Sequence, residues 1–125
     1  MMTEGKVWGT TAEVFRGPGT AVHFLRIKAG GRSSEHRHTF KANRFVVLDG
    51  EVAIKVWRGA EDKPLVDTTI LHAGSEFEVG PGIWHSFEAR TDSTMIEVYT
   101  AGLQDPDIER RTQGDCEPER LRTGD

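Results

Sequence analysis

Glycine cuts this 125-residue chain into short runs, and that punctuation constrains the fold more than any other feature. The runs VHFLRIK (22–28), RFVVL (44–48), EVAIKVW (51–57), DTTIL (67–71), EFEV (76–79), HSFEA (85–89) and MIEVYT (95–100) are rich in β-branched and aromatic residues and read as strands. Turn sequences separate them: GPG, AGG, DG, RGAEDKP, AGS and GPG. Glycine there accepts positive φ, and proline presets φ at a corner. Asp49-Gly50, between two apolar runs, is the strongest hairpin signal in the chain. Lys6-Val7-Trp8 and Ala12–Phe15 are expected to add short N-terminal strands. No helical period is sustained before Leu103. Many short strands at regular spacing predict an all-β sandwich or small barrel, and closing the sheet would remove edges that open sheets must protect.

Length makes one domain the expectation. Residues 1–102 carry the strands. Residues 103–125 hold seven acidic residues and four arginines against only Leu103, Ile108 and Leu121 as sizeable apolar side chains. That segment is expected to be a polar C-terminal tail, partly disordered, in which PDIERR forms a helical turn. The net charge of −4 argues against nucleic acid and anionic membrane as partners. No apolar run approaches the ~20 residues of a membrane span, and MMTEGKVWG lacks the apolar core of a signal peptide. Cys116 is the single cysteine, so no internal disulfide can form. A cytoplasmic location is the expectation.

The stretch EHRHTFKANRFVVLDGEV (35–52) raises the chemical question. Along an extended strand, residues i and i+2 share a face, so His36 and His38 point the same way. Neutral imidazole is a ligand for zinc, iron, manganese and nickel. A metal needs a further ligand from elsewhere. His85, after the turn in GPGIWHSFEA, opens a strand where it could converge on the pair. H-x-H alone also fits a surface strand that happens to carry histidines, and His23 and His72 read as structural or surface residues.

The glycine and histidine framework resembles the cupin family. Its first motif, G-x5-H-x-H-x3,4-E-x6-G, is met in every spacing by Gly30, His36, His38, Asn43 and Gly50, with asparagine in the acid's place. Its second, G-x5-P-x-G-x2-H-x3-N, is met more loosely by Gly74, Gly82 and His85: Pro81 lies one position late, and Ala89 stands where asparagine is usual. The resemblance implies a double-stranded β-helix, or jelly-roll barrel, holding one divalent metal ion (zinc, iron, manganese or nickel). His36, His38 and His85 would be the ligands, with Asn43 a weak fourth ligand or its vestige. A carboxylate would bring charge and an amide does not, so affinity should fall and an anionic substrate or water should complete the charge balance.

Three segments are similar to one branch of that family, the type II phosphomannose isomerases: KVWG near the start, FLRIKAGGRSSEHRH, and MIEVYTAGLQDPDIERRTQGD. The acid position departs from that branch, and it lies two residues further from the second histidine. The resemblance implies isomerisation of a sugar or sugar phosphate, for which a general base is needed. Glu97 can serve as that base if Met95, Glu97 and Tyr99 face inward, and is merely solvated if Ile96 and Val98 do. Arg26, Lys41 and Arg44 are candidates for binding an anionic group. Phe45, Trp84 and Tyr99 are candidate pocket walls, with core packing as the ordinary alternative for the aromatics. Two other functions share the ligand set: an iron-dependent dioxygenase of three-histidine type, and a non-catalytic barrel that binds a small polar, anionic or carbohydrate ligand. The N-terminal strands leave an edge that a second copy could cover, so a homodimer is expected.

Overall fold

The computed structural model describes residues 2–59, 65–100 and 107–116. Strands β1 (Thr3–Lys6), β2 (Gly9–Gly17) and β3 (Thr20–Ile27) form an N-terminal meander. The short β4 (Gly31–Arg32) and β5 (His36–Arg37) follow, then β6 (Ala42–Asp49), β7 (Glu51–Arg58) and β8 (Leu65–His72). After them come β9 (Glu76–Val79), β10 (Trp84–Ala89) and β11 (Ser93–Thr100), and finally β12 (Glu109–Arg110) and β13 (Asp115–Cys116). All pairings are antiparallel. One sheet has six strands in the order β1-β2-β3-β11-β6-β9. The other has seven: β10 pairs β4 and β5 on one side and β7 on the other, and β7 carries β8. The result is an all-β jelly roll whose two sheets face each other. Among the described residues no ladder joins the sheets, so β1 and β9 remain edges.

Seven runs predicted as strands lie in strands, because period-two alternation is a local signal. In β6, Asn43, Phe45 and Val47 are buried while Arg44 and Val46 are only partly so. The inward residues of both sheets interdigitate as Trp8, Leu25, Ile27, Phe45, Val47, Val52, Ile54, Val56, Leu71, Val79, Phe87 and Met95. Gly50 turns the β6–β7 hairpin at φ 91°, and a Cβ there would collide with the Ser93 hydroxyl and the Asp92 carbonyl.

Two expectations fail. Lys6-Val7-Trp8 is not a strand of its own: Lys6 ends β1, and Val7 and Trp8 form the turn to β2, which frees the Trp8 ring to enter the core. Nor do residues 107–116 form a polar tail with a helical turn. They add two short strands: β12 pairs with β5, and β13 with β4. Asp107 and Cys116 are buried by this docking. Sequence-distant ion pairs replace the missing apolar drive, with Arg37 bonded to Glu109 and Arg111 to Glu35. The rest of that expected tail, 103–106 and 117–125, lies outside the described residues.

Candidate metal centre

The pairing of β5 with β10 inside the seven-stranded sheet brings His36, His38 and His85 together. His36 on β5 is the Cα partner of His85 on β10. His38 follows two residues on, and its carbonyl accepts from the Gly82 amide at 2.7 Å. That bond ties the first histidine pair to the turn that launches His85. Gly82 adopts φ 77°, which glycine takes without strain. The ring centroids lie 4.4 Å (His36–His85), 5.1 Å (His36–His38) and 5.5 Å (His38–His85) apart.

Each ring is oriented by a main-chain carbonyl. His36 Nδ1 donates to Ser34 at 2.7 Å, His38 Nδ1 to Asp107 at 2.6 Å and His85 Nδ1 to Ile83 at 2.8 Å. This fixes the tautomer in which Nε2 carries the free lone pair, the arrangement metal-ligating histidines adopt. His38 Nε2 and His85 Nε2 are buried and have no protein partner. One potential ligand atom from each ring lies within 4.8 Å of the others, close to the span of two metal–nitrogen bonds of ~2.1 Å each. Burial, with the neighbouring imidazoles as a further cause, lowers the pKa of His36 to about 2. Burial lowers that of His85 to about 4, and also lowers that of His38. The rings are therefore neutral at neutral pH, as ligands must be. Three buried, uncharged donors within 4.8 Å of one another, two of them without a protein partner, fit one metal ion.

Glu97 shares a cavity wall with His36, and Asn43 is bonded to Glu97. Asn43 is 1% exposed, and its Nδ2 donates to Glu97 Oε2 at 2.7 Å, leaving Oδ1 buried with no protein partner. Strand β11 turns Met95 and Glu97 inward, so Glu97 is buried rather than solvated. Burial raises its pKa, opposed by the hydrogen bonds from Tyr99 and Asn43 and by the charge of Lys41. Burial and Glu97 together push the Tyr99 hydroxyl well above its ordinary value. Lys41 Nζ sits 4.1 Å from the centre of the Tyr99 ring.

A cavity of about 440 Å³ reaches the cluster at His36, with Glu97 and Tyr99 also in its wall beside Trp8, Leu25 and Phe87. His23, read as structural from the sequence, also lines it. Three candidates are not brought here. Arg26 is exposed on the outer face of β3, stacked on Phe24. Arg44 points out of β6 and binds Glu76 and Glu78. Trp84, one residue from His85, faces the other way between the Arg37 and Arg111 guanidinium groups. Phe45 is a core residue, with its ring 6.1 Å from that of His85. Sequence reasoning missed Asp107 and Arg110. The Asp107 carboxylate accepts from the backbone amides of Thr39, Phe40 and Lys41, which hold its pKa low against the cost of desolvation. Arg110 reaches the cavity. Both lie in the MIEVYTAGLQDPDIERRTQGD stretch that resembles the isomerase branch, but no apolar period there marks their contacts.

A family model described as the cupin domain matches residues 13–100. The chain belongs to the cupin family. No curated protein matches the sequence. Among solved structures, this cupin resembles the capsular polysaccharide assembling protein CapF from Staphylococcus aureus. The TM-score is 0.77 at 18% identity, over 89% of this chain and 34% of that one. It also resembles oxalate decarboxylase from Bacillus subtilis, with TM-score 0.72 and 16% identity over 87% of this chain and 29% of the other. KdgF from Halomonas sp. gives TM-score 0.67 and 15% identity, over 82% of this chain and 89% of that one. The chain thus spans about a third of the length of CapF and of the decarboxylase. At these identities the likeness concerns the fold. No helix among the described residues is long and apolar enough to cross a membrane.

Proposed function

We propose that this cupin is a metal-dependent enzyme that moves a proton on a small polar substrate of carbohydrate type, as in an aldose–ketose interconversion. The observation that carries this reading is Glu97: a buried carboxyl with a raised pKa, in the wall of the same cavity as His36. A general base works best when its pKa is brought toward the operating pH, and burial does that for a carboxyl. Asn43 Nδ2 holds Glu97 in one orientation. Trp8, Leu25 and Phe87 give the cavity an apolar side, and its volume suits a single small molecule. A divalent ion held by the Nε2 atoms of His36, His38 and His85, with Asn43 Oδ1 as a weak fourth donor, would supply Lewis-acid polarisation of a substrate oxygen. CapF is by name a capsular polysaccharide assembling protein, which agrees with a carbohydrate substrate. The active form is a homodimer: β1 is an edge strand, and Val7, Val14 and Phe15 are exposed on the same N-terminal meander.

Elemental analysis combined with deuterium uptake from D2O into a panel of aldoses and ketoses tests the proposal. The expected result is one bound divalent ion per chain and solvent deuterium at the carbon next to the carbonyl. Glu97→Gln should abolish exchange while the metal is retained. Oxygen consumption with bound iron and no exchange would replace this reading with the three-histidine dioxygenase. Failure to bind zinc, manganese, nickel or iron would leave only a ligand-binding barrel.

A further inference from the structure

We propose that the substrate carries an anionic group, a carboxylate or phosphate, and that Arg110 binds it at the cavity mouth with Lys41 as the second cation. This deepens the reading above and rests on it. The first observation is one of pairing. Arg16, Arg32, Arg37, Arg44, Arg58 and Arg111 each lie against a carboxylate. Among the described residues Arg26, Arg90 and Arg110 have no carboxylate within ion-pair distance, and of these three Arg110 alone lines the cavity with His36, Glu97 and Tyr99.

Its position is built. Arg110 is the Cα partner of His36 in the β12–β5 pairing. Its neighbours along the chain anchor the strand on the outside. Glu109 bonds Arg37, and Arg111 bonds Glu35 while stacking on Trp57 and Trp84. Alternation then turns Arg110 to the opposite side, toward the cavity. Its positive charge is felt at His36, His38 and Tyr99. Lys41 lies over the Tyr99 ring, with its own backbone amide held by Asp107.

The charge balance asks for an anion. Imidazole and amide donors bring no negative charge, and Glu4 at the rim, which also feels Arg110, is bonded by Lys6 at 2.9 Å. Arg110 and a divalent cation would both bring positive charge to the cavity, and Lys41 adds a further cation over the ring of Tyr99, which lines it. A guanidinium fork matches the two oxygens of a carboxylate or phosphate, and such charge-assisted bonds are about twice as strong as neutral ones.

The test compares three sugars that differ only at C6: glucose, glucose 6-phosphate and glucuronate. Their affinities for the purified metal-loaded protein are measured by calorimetry. At least one charged sugar should bind about tenfold or more tighter than glucose, and which one does so names the group. Arg110→Gln should remove that preference, Arg110→Lys should keep part of it, and Lys41→Ala should weaken it. Arg44→Ala, on the outer face, should leave it unchanged. Equal affinity for all three sugars, no binding of either charged sugar, or full preference in Arg110→Gln or, should that variant not fold, in Arg110→Lys would overturn the inference. The acid–base reading fails separately, as absent deuterium exchange in a protein that still prefers the anion.

Discussion

Asn43→Asp should make the metal-free protein less stable and its hold on metal tighter, and the two effects come from the same atoms. In the native chain the amide Nδ2 donates to Glu97 Oε2 at 2.7 Å, and both side chains are buried. An aspartate offers an oxygen in place of that donor. Two carboxyls at such a distance cannot both ionise in a buried site, so the pair must hold one more proton than Glu97 alone. The folded-state pKa of the pair is then raised above the unfolded value of ~4. A raised pKa means stability that is present below the unfolded value and lost as pH rises through the folded one. Each pH unit in that window costs about 1.4 kcal/mol, so the variant should lose up to ~4 kcal/mol relative to the native protein between about pH 5 and pH 8. Loss of the hydrogen bond adds a roughly pH-independent ~1–2 kcal/mol. With metal present, the new carboxylate brings the negative charge that the native ligand set lacks, and affinity should rise by about tenfold or more. Urea unfolding of the chelator-treated variant at the two pH values, and competition for zinc against a chromophoric chelator, measure both sides. Native-like stability at pH 8 together with unchanged zinc affinity would refute both the buried Asn43–Glu97 pairing as an energetic unit and Asn43 as a fourth donor.

Acid should destabilise the metal-free protein. His36 and His85 have depressed folded pKa values, about 2 and about 4, so their contribution is present above the unfolded value of 6.5 and lost as pH falls below it. From pH 6.5 to 5 each should remove about 2 kcal/mol, read as a falling urea midpoint, and His85→Ala should flatten that slope. Asp107→Ala strips the acceptor from the Thr39, Phe40 and Lys41 amides and loosens the carbonyl that orients His38. Because Thr39 and Phe40 are exposed and water can replace part of the loss, about 2–3 kcal/mol, or roughly 8 °C in Tm, is expected with at least a tenfold weaker metal affinity. Phe45→Ala, at a site 1% exposed between the two sheets, should cost about 3–5 kcal/mol by denaturant melt while leaving the metal ligands intact. Gly50→Ala should be destabilising by more than about 1 kcal/mol, since it adds both a positive-φ penalty and the collision with Ser93 and Asp92.

The local sequence determined the strands and one half of the site. Alternation placed His36 and His38 on one face, and the spacing of glycines marked where the chain must turn. Once the structure shows which residues face inward, the same parity accounts for two candidates it does not bring to the site. Arg44 lies between the inward Asn43 and Phe45, and Trp84 adjoins the inward His85, so each faces outward. Arg26 fails for the same reason between Leu25 and Ile27. Parity is legible because it depends only on neighbours along the chain.

Tertiary structure decided what parity leaves open. Glu97 faces inward because β11 sits between β3 and β6, where Met95 meets Leu25 and Val47 in the core, and a register shift after Thr94 fixes that pairing. Asp107 orients His38 across a separation of 69 residues, and Arg110 reaches the cavity only through the pairing of β12 with β5. A charged segment carries no periodic apolar signal to announce such docking. Its place is set by ion pairs and backbone bonds to a barrel that must already exist, so it cannot be read before the fold that receives it.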